Sequence, residues 1–440
     1  MLDIVLGRKP SDVRKYGTRG AILLGKHYVK MGETTALSNP VYMDISAAHA
    51  VFICGKRGTG KSYAMGGIAE GLATIDPDIA QNIGIILLDV MGIYWTMKYS
   101  NRSDDALLAE WGLSPKPCDI KIYTPYMAYD EYKKKGMPTD VSFSVAVNEL
   151  TAEDWALTFD IDVNSPMGVL IERGLNELVR LGKPFDIGQI IDKMQKDSKA
   201  DQLTKDAAEN RFLAAEEWGV FKKDGTPLKD LVKGGQVTVL DVSCYATQPN
   251  GWKIRSLIIG LVAKKLFLGR MLSRKDEEFS KVSQSESYFS SGEFDQKMKD
   301  PMIWLVVDEA HEFLPKEGKV ASSDALVTIL REGRQPGISL ILATQQPGKI
   351  HTDVMTQSDI VLSMKLTTKI DIDALSLLMQ SYMRSGIDRY FEELPRVPGA
   401  CVAFDDSNER MFPMRIRPRC TWHGGSSPFA LKEKKKMFGE

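Results

Sequence analysis

The apolar positions of this chain gather in short continuous runs separated by long, polar, helix-like stretches. Ala50-Val51-Phe52-Ile53 and Ile83–Asp89 are two such runs, and 236–241, 302–308, 338–343, 359–364 and 400–404 repeat the pattern. Runs of this length, rich in Ile, Val and Leu and without alternation, suit strands buried on both faces of a parallel sheet. Between the first two, residues 63–74 place Ala64, Ile68 and Leu72 on one helical face. Gly66 and Gly67 weaken that helix by about 1 kcal/mol each relative to Ala. Strand, helix and strand at this spacing predict a βαβ unit, so the expected fold class is α/β with a parallel-rich sheet.

Other stretches have a different texture. Residues 1–48 read as a small β-rich, barrel-like segment or sheet cap. Ala21-Ile22-Leu23-Leu24 and Val41-Tyr42-Met43 are its strands, punctuated by Gly25, Gly32 and Asn39-Pro40. Residues 49–99 and 235–420 carry the buried runs and form the expected core. Between them, 100–234 reads as a mainly helical insertion, with helices over 165–181, 187–195 and 204–217. Asp104, Thr151 and Asp201 are candidate helix caps there. The polar, serine-rich run 273–300 reads as a loop. The stretch 421–440 reads as a tail, with a basic, solvated run over 432–436. Residues 254–272 are apolar but contain Arg255, Lys264, Lys265 and Arg270, which fits a core helix and not a membrane span.

Charge narrows the function classes. Lys and Arg total 57 against 58 Asp and Glu, a formal net charge of -1. The chain as a whole is therefore no electrostatic glove for a polyanion, and any DNA contact must be a local patch. The five cysteines, at 54, 118, 244, 401 and 420, lack zinc-ligand spacing and fit a reducing compartment. Asp3, Arg8 and Lys9 interrupt any signal-peptide run, so a cytoplasmic location is expected.

The chemistry sits at the ends of the apolar runs. Gly55-Lys56-Arg57-Gly58-Thr59-Gly60-Lys61-Ser62 follows the first run and opens the helix. This is a phosphate-cradling loop. Its glycines let backbone N–H groups approach phosphate oxygens, Lys61 reaches the β- and γ-phosphates, and the Ser62 hydroxyl is offered to Mg²⁺. Tyr63 is the next candidate contact. The run 302–308 ends in Asp308-Glu309. Asp308 suits a magnesium ion held through water, and Glu309 suits activation of the attacking water. Run 338–343 leads to Gln345, an amide placed to sense a γ-phosphate. Arg331 and Arg334 lie three apart at a helix end broken by Gly333, Pro336 and Gly337. Either could act on a neighbouring subunit's phosphate, or simply pair with a carboxylate such as Glu332. Asp308-Glu309-Ala310-His311 spells a signature of two-domain helicases, but no second lobe follows, and His311 reads as structural.

The order of these motifs resembles the HerA–FtsK superfamily of P-loop motors, the HerA branch in particular. The residues carrying it are GKRGTGKS at 55–62, IILLD at 85–89, VTVLDVS at 237–243, WLVVDEAHEFLP at 304–315, REGRQPGISLILATQQP at 331–347, SDIVLSMKL at 358–366 and LPRVPGACVAF at 394–404. The resemblance implies a RecA-like core with a shortened HerA-type barrel over 1–48. It implies ATP and Mg²⁺ as cofactors, a homo-oligomeric ring, usually a hexamer, and double-stranded DNA as substrate. By similarity, Lys61 and Ser62 hold phosphate and metal, Asp308 and Glu309 serve Mg²⁺ and water, Arg334 is the trans finger and Gln345 the sensor. Such motors commonly act with a separate nuclease or effector, in DNA-end processing or antiviral defence, and no nuclease motif is visible in this chain. A ring ATPase that scaffolds and regulates an effector without moving DNA is the alternative.

Overall fold

The computed structural model describes residues 3–31, 34–286, 298, 300–376, 390–392 and 394–425. Most of the expected tail therefore lies outside the described residues. The strands in chain order begin with β1 (Ile4–Leu6), β2 (Ala21–Met31), β3 (Thr34–Asp44), β4 (Ala50–Cys54) and β5 (Ile83–Asp89). Next come β6 (Ile120–Pro125), β7 (Val141–Phe143), β8 (Val145–Ala146), β9 (Phe221–Lys222) and β10 (Val237–Asp241). The last are β11 (Met302–Val307), β12 (Ile338–Thr344), β13 (Ile360–Met364), β14 (Ala400–Asp405) and β15 (Arg410–Ile416).

Among the described residues thirteen strands form one sheet, in the order β1-β3-β2-β15-β14-β13-β4-β12-β11-β5-β10-β6-β7. From β13 to β7 every pairing is parallel. The predicted runs supply the middle of this half: β5 and β12 are buried at every position. From β13 through β14, β15 and β2 to β3 the pairings are antiparallel. The N-terminal β-rich segment thus joins the main sheet through β15. Two register shifts between β2 and β3, at Leu23/Gly25 and Lys26/Tyr28, strengthen the local twist of that ribbon.

Side chains of the central strands feed two cores, one on each face. Ile303, Leu305 and Val307 enter one, and Trp304 and Val306 the other. The helix Lys61–Ala73 packs Ala64, Met65, Ile68 and Leu72 into the second core, together with Ile22, Leu24, Val41 and Met43. The helix Gly251–Glu286 covers the opposite face with Ile254, Leu257, Ile258 and Leu261. Among the described residues no helix is long and apolar enough to cross a membrane.

The stretch 100–234 contains the helices Ala152–Phe159, Pro166–Arg180, Ile187–Gln195 and Gln202–Glu216. Trp155, Phe159, Phe212 and Phe221 form their aromatic centre. Thr151 and Asp201 cap helices, accepting from the backbone N–H of Asp154 and Thr204. Asp104 makes no side-chain cap bond and instead accepts from Asn101. This stretch also gives β6 and β7 to the sheet, which the periodicity did not show because Lys121 and Pro125 interrupt the run. The loop expected over 273–300 is corrected as far as Glu286, where the chain is still helical. Ion pairs one turn apart, Arg274 with Glu277 and Glu278, support that polar helix. The buried Arg270 ties it to the Pro336 and Asp300 carbonyls.

Candidate nucleotide site

Three neighbouring strands bring the catalytic candidates together. β12 lies between β4 and β11, and all three run parallel. Their carboxyl ends therefore share one edge of the sheet, where ligands of open α/β folds gather. The glycine-rich loop leaves β4, Gln345 follows β12, and Asp308 and Glu309 follow β11.

The loop is fixed by the strands beside it. Gly55 N–H donates to the Thr344 carbonyl at 3.3 Å, and Lys56 N–H to the Lys365 carbonyl at 3.4 Å. Gly399 N–H donates to the Thr59 carbonyl at 3.1 Å. Two glycines are required by contact. A Cβ on Gly55 would lie 2.6 Å from the Met364 Cβ, and Gly60 has φ +106°, where a Cβ would also lie 3.2 Å from the Gly399 N. Gly60 is the N-cap of the helix Lys61–Ala73, and no side chain caps it. The first N–H groups of that helix are thus left for an anion, with the helix dipole behind them. Arg57 and Gly58 are exposed on the loop.

Lys61 is buried, and its ammonium donates to the Lys56 carbonyl at 3.0 Å. Burial holds its pKa below the ordinary lysine value, against the pull of Glu309 and Asp308. Ser62 Oγ donates to Asp308 Oδ2 at 2.8 Å. Burial pushes the Asp308 carboxyl up to about 6, although the Ser62 hydrogen bond works against this. Glu309 occupies the left-handed region, φ +48°. That backbone is strained for a residue with a side chain, and such strain gathers at functional sites. Gln345 Nε2 donates to Glu309 Oε1. Glu309 Oε2 is buried with no hydrogen-bond partner among the described residues.

The oxygen donors fit a hard cation. Ser62 and Asp308 converge, and a magnesium ion takes few protein ligands, completing its shell with water and phosphate oxygens. Among the described residues no group of three or more His, Cys, Asp or Glu could hold a metal by itself.

Other expected residues fall elsewhere. The Tyr63 hydroxyl accepts the Arg419 N–H at 2.7 Å, and its ring faces His423. Arg331 and Arg334 precede β12, whereas Gln345 follows it. The seven residues of β12 separate them by about 20 Å at roughly 3.3 Å per residue. Neither arginine reaches the phosphate loop of its own chain. Arg331 Nε donates to Asp353, while Arg334 is exposed.

His311, expected as structural, lies beside this site. Its Nδ1 lies 3.0 Å from Thr344 Oγ1 and 3.6 Å from Glu309 Oε2, and its Nε2 lies 3.4 Å from Gln346 Nε2. Sequence spacing could not show this, because the contact depends on β11 and β12 being neighbours. Position three after Asp308 was the only signal. Also unforeseen is Glu70, in the last turn of the phosphate-loop helix. It accepts from Arg417 and Arg419 side chains at 3.1 Å each, and from the Cys420 and Thr421 N–H groups at 3.0 and 3.1 Å.

Residues 29–250, half of the chain, match the family described as "Helicase HerA, central domain". A curated protein of Pyrococcus furiosus, "DNA double-strand break repair helicase HerA", is 27% identical over 150 residues, 32% of this chain and 26% of that protein. The "Probable DNA double-strand break repair helicase HerA" of Methanocaldococcus jannaschii is 28% identical over 170 residues, 36% of this chain and 30% of that protein. The matched stretch thus spans less than a third of each relative. The solved structure of VirB4 of Thermoanaerobacter pseudethanolicus superposes with a TM-score of 0.53 at 12% identity, covering 91% of this chain and 97% of that one. It shows a shared RecA-like P-loop fold alone. The family match runs through β4, the phosphate loop and its helix, and on that ground the chain belongs to the HerA helicase central-domain family.

Proposed function

We propose that this chain is an ATP-hydrolysing motor subunit that assembles into a ring, hexameric in the family pattern, and moves double-stranded DNA. The observation that carries this reading is the convergence of Lys61, Ser62, Asp308, Glu309 and Gln345 at one sheet edge. In this reading the N–H groups of the loop and Lys61 bind the phosphates. Ser62 and Asp308 hold Mg²⁺, which when bound offsets the charge of the phosphate oxygens. Glu309, with one buried oxygen that has no hydrogen-bond partner among the described residues, takes the proton of the attacking water. Gln345 holds the other Glu309 oxygen and sits where a γ-phosphate would be sensed.

Arg334 serves a neighbouring subunit in this reading. Its distance from its own loop and its exposure support that role, and Arg331 is occupied by Asp353. The DNA contact falls to Lys316 and Lys349, both exposed on two loops zipped together by the Lys316 N–H to Lys349 carbonyl and His351 N–H to Leu314 carbonyl bonds, 2.8 Å each. Lys319 is held by Glu153 and Asp324 at 3.1 and 2.7 Å and is not free for that contact. A separate nuclease or effector completes the reading, in DNA-end processing or antiviral defence within the cytoplasm. The names of the curated relatives support the DNA side of it.

The test is ATP hydrolysis with and without linear double-stranded DNA, at two salt concentrations, with a native mass on the same sample. DNA should raise the rate, less so at high salt, and the mass should be that of a ring. ATP hydrolysis indifferent to DNA would favour a scaffold over a motor.

A further inference from the structure

Three residues, Gln346, Thr344 and His311, link the zipped loops to Glu309. Gln346, at the start of the second loop, donates its N–H to Thr344 Oγ1 at 3.0 Å. Thr344 Oγ1 also lies 3.0 Å from His311 Nδ1, and the Gln346 amide lies 3.4 Å from His311 Nε2. Both ring nitrogens of His311 are therefore engaged by the segment that leads into the Lys349 loop. The tautomer with hydrogen on Nδ1 satisfies the set: Nδ1–H points to Thr344 Oγ1, and Nε2 accepts from Gln346. The same Nδ1 lies 3.6 Å from Glu309 Oε2. That oxygen is buried with no hydrogen-bond partner among the described residues, and the Glu309 backbone is held at φ +48°. A carboxylate in this state is not at rest in its own right. Gln345 holds one of its oxygens by a hydrogen bond, and the His311 ring lies beside the other.

We propose that His311 is a positioning residue that couples the Lys316–Lys349 loop pair to the water-activating Glu309. A shift of the loops moves Gln346 and Thr344, these turn the imidazole, and the imidazole sets where Glu309 Oε2 lies. The inference rests on the ATPase reading above and adds to it the route by which a polyanion on the loops reaches hydrolysis. The ring transfers no proton in this role. It holds a carboxylate that must itself be placed to within a fraction of an ångström of the water.

The experiment compares wild type, His311→Ala, His311→Asn and Thr344→Val for kcat, the KM for ATP and the ratio of rates with and without linear double-stranded DNA. His311→Ala should lower kcat at least about tenfold with KM changed less than about twofold, and should bring the DNA ratio towards one. Asn places a hydrogen-bonding atom where Nδ1 lies, so His311→Asn should recover most of the lost kcat. Thr344→Val keeps the volume at a buried position and should shift kcat in the same direction by less. It remains informative if His311→Ala fails to fold. Wild-type kcat and DNA ratio in His311→Ala would overturn the proposal. So would a loss confined to KM, or Asn and Ala variants that fold like wild type and are equally impaired. Absence of ATP hydrolysis in the wild type would instead overturn the ATPase reading.

Discussion

The helix Lys61–Ala73 carries two buried charge clusters that treat burial in opposite ways. In its last turn, Glu70 accepts from two guanidinium groups and two backbone N–H groups, and the Thr421 hydroxyl adds another bond. Arg417 also donates to the Gly67, Pro418 and Leu23 carbonyls, at 2.7, 2.9 and 3.1 Å. Despite burial, the Glu70 carboxyl is held below the ordinary glutamate range, by Arg419 and Arg417 first among the favourable causes. At the helix start, Lys61 faces Asp308 and Glu309 with few bonds to any of them. Burial prevails there, pushing Asp308 up to about 6 and Lys61 down. The first cluster is complete in itself and anchors the C-terminal segment to the helix. The second is incomplete, and polyphosphate with a cation would complete it. Saturation marks structure here, and shortage marks the site.

Substitutions can break this contrast. The largest effect on folding is expected from Glu70→Ala, which leaves two buried arginines without their anion and should cost about 3–5 kcal/mol. A melting temperature close to wild type would mean that the cluster contributes little. Its pH dependence follows from the sign of the shift: the Glu70 contribution is present above the unfolded glutamate pKa and is lost as pH falls through its lower folded value.

Next comes Arg334. Arg334→Ala protein should bind ATP and hydrolyse it at least about tenfold more slowly, as loss of a finger does. Mixed with Lys61→Ala protein, it should regain activity, because some interfaces then join an intact loop to an intact arginine. A mixture that stays inactive while subunits exchange would remove the trans role. The smallest effect on stability is on the unsaturated side. Asp308→Asn should raise the melting temperature of the nucleotide-free protein by a few degrees at pH 7.5 while abolishing turnover. A carboxylate whose folded pKa is raised favours the fold at low pH and loses that contribution as pH rises through about 6. The gain from Asp308→Asn should therefore shrink at pH 4.5. An equal gain at both pH values would contradict the burial argument.

Much of the fold was legible because the parallel strands are continuous apolar runs, and β5 begins and ends where its run does. β1, β6, β7 and β15 were not. β15 lies in the antiparallel half, where only one face is deeply buried, and Pro413 and Arg415 interrupt its run. Lys61, Ser62, Asp308, Glu309 and Gln345 were legible because each sits directly at a strand end or helix start. His311 and Glu70 were not, because their partners lie far along the chain: Thr344 for the first, Arg417 and Arg419 for the second. The arginine pair shows the remaining limit. Spacing put both arginines on one helix face, yet the helix Ser323–Glu332 holds only Arg331 and Arg334 follows its C-cap Gly333, and only the topology put the pair at the sheet edge opposite the loop.

The most direct test of the site is nucleotide binding and turnover measured together in wild type and Glu309→Gln. ATP affinity should be retained within about threefold, while turnover falls by at least about 100-fold, the scale of a lost general base. Turnover at the wild-type rate in Glu309→Gln would contradict the assignment of Glu309, and absent ATP binding in the wild type would contradict the site itself.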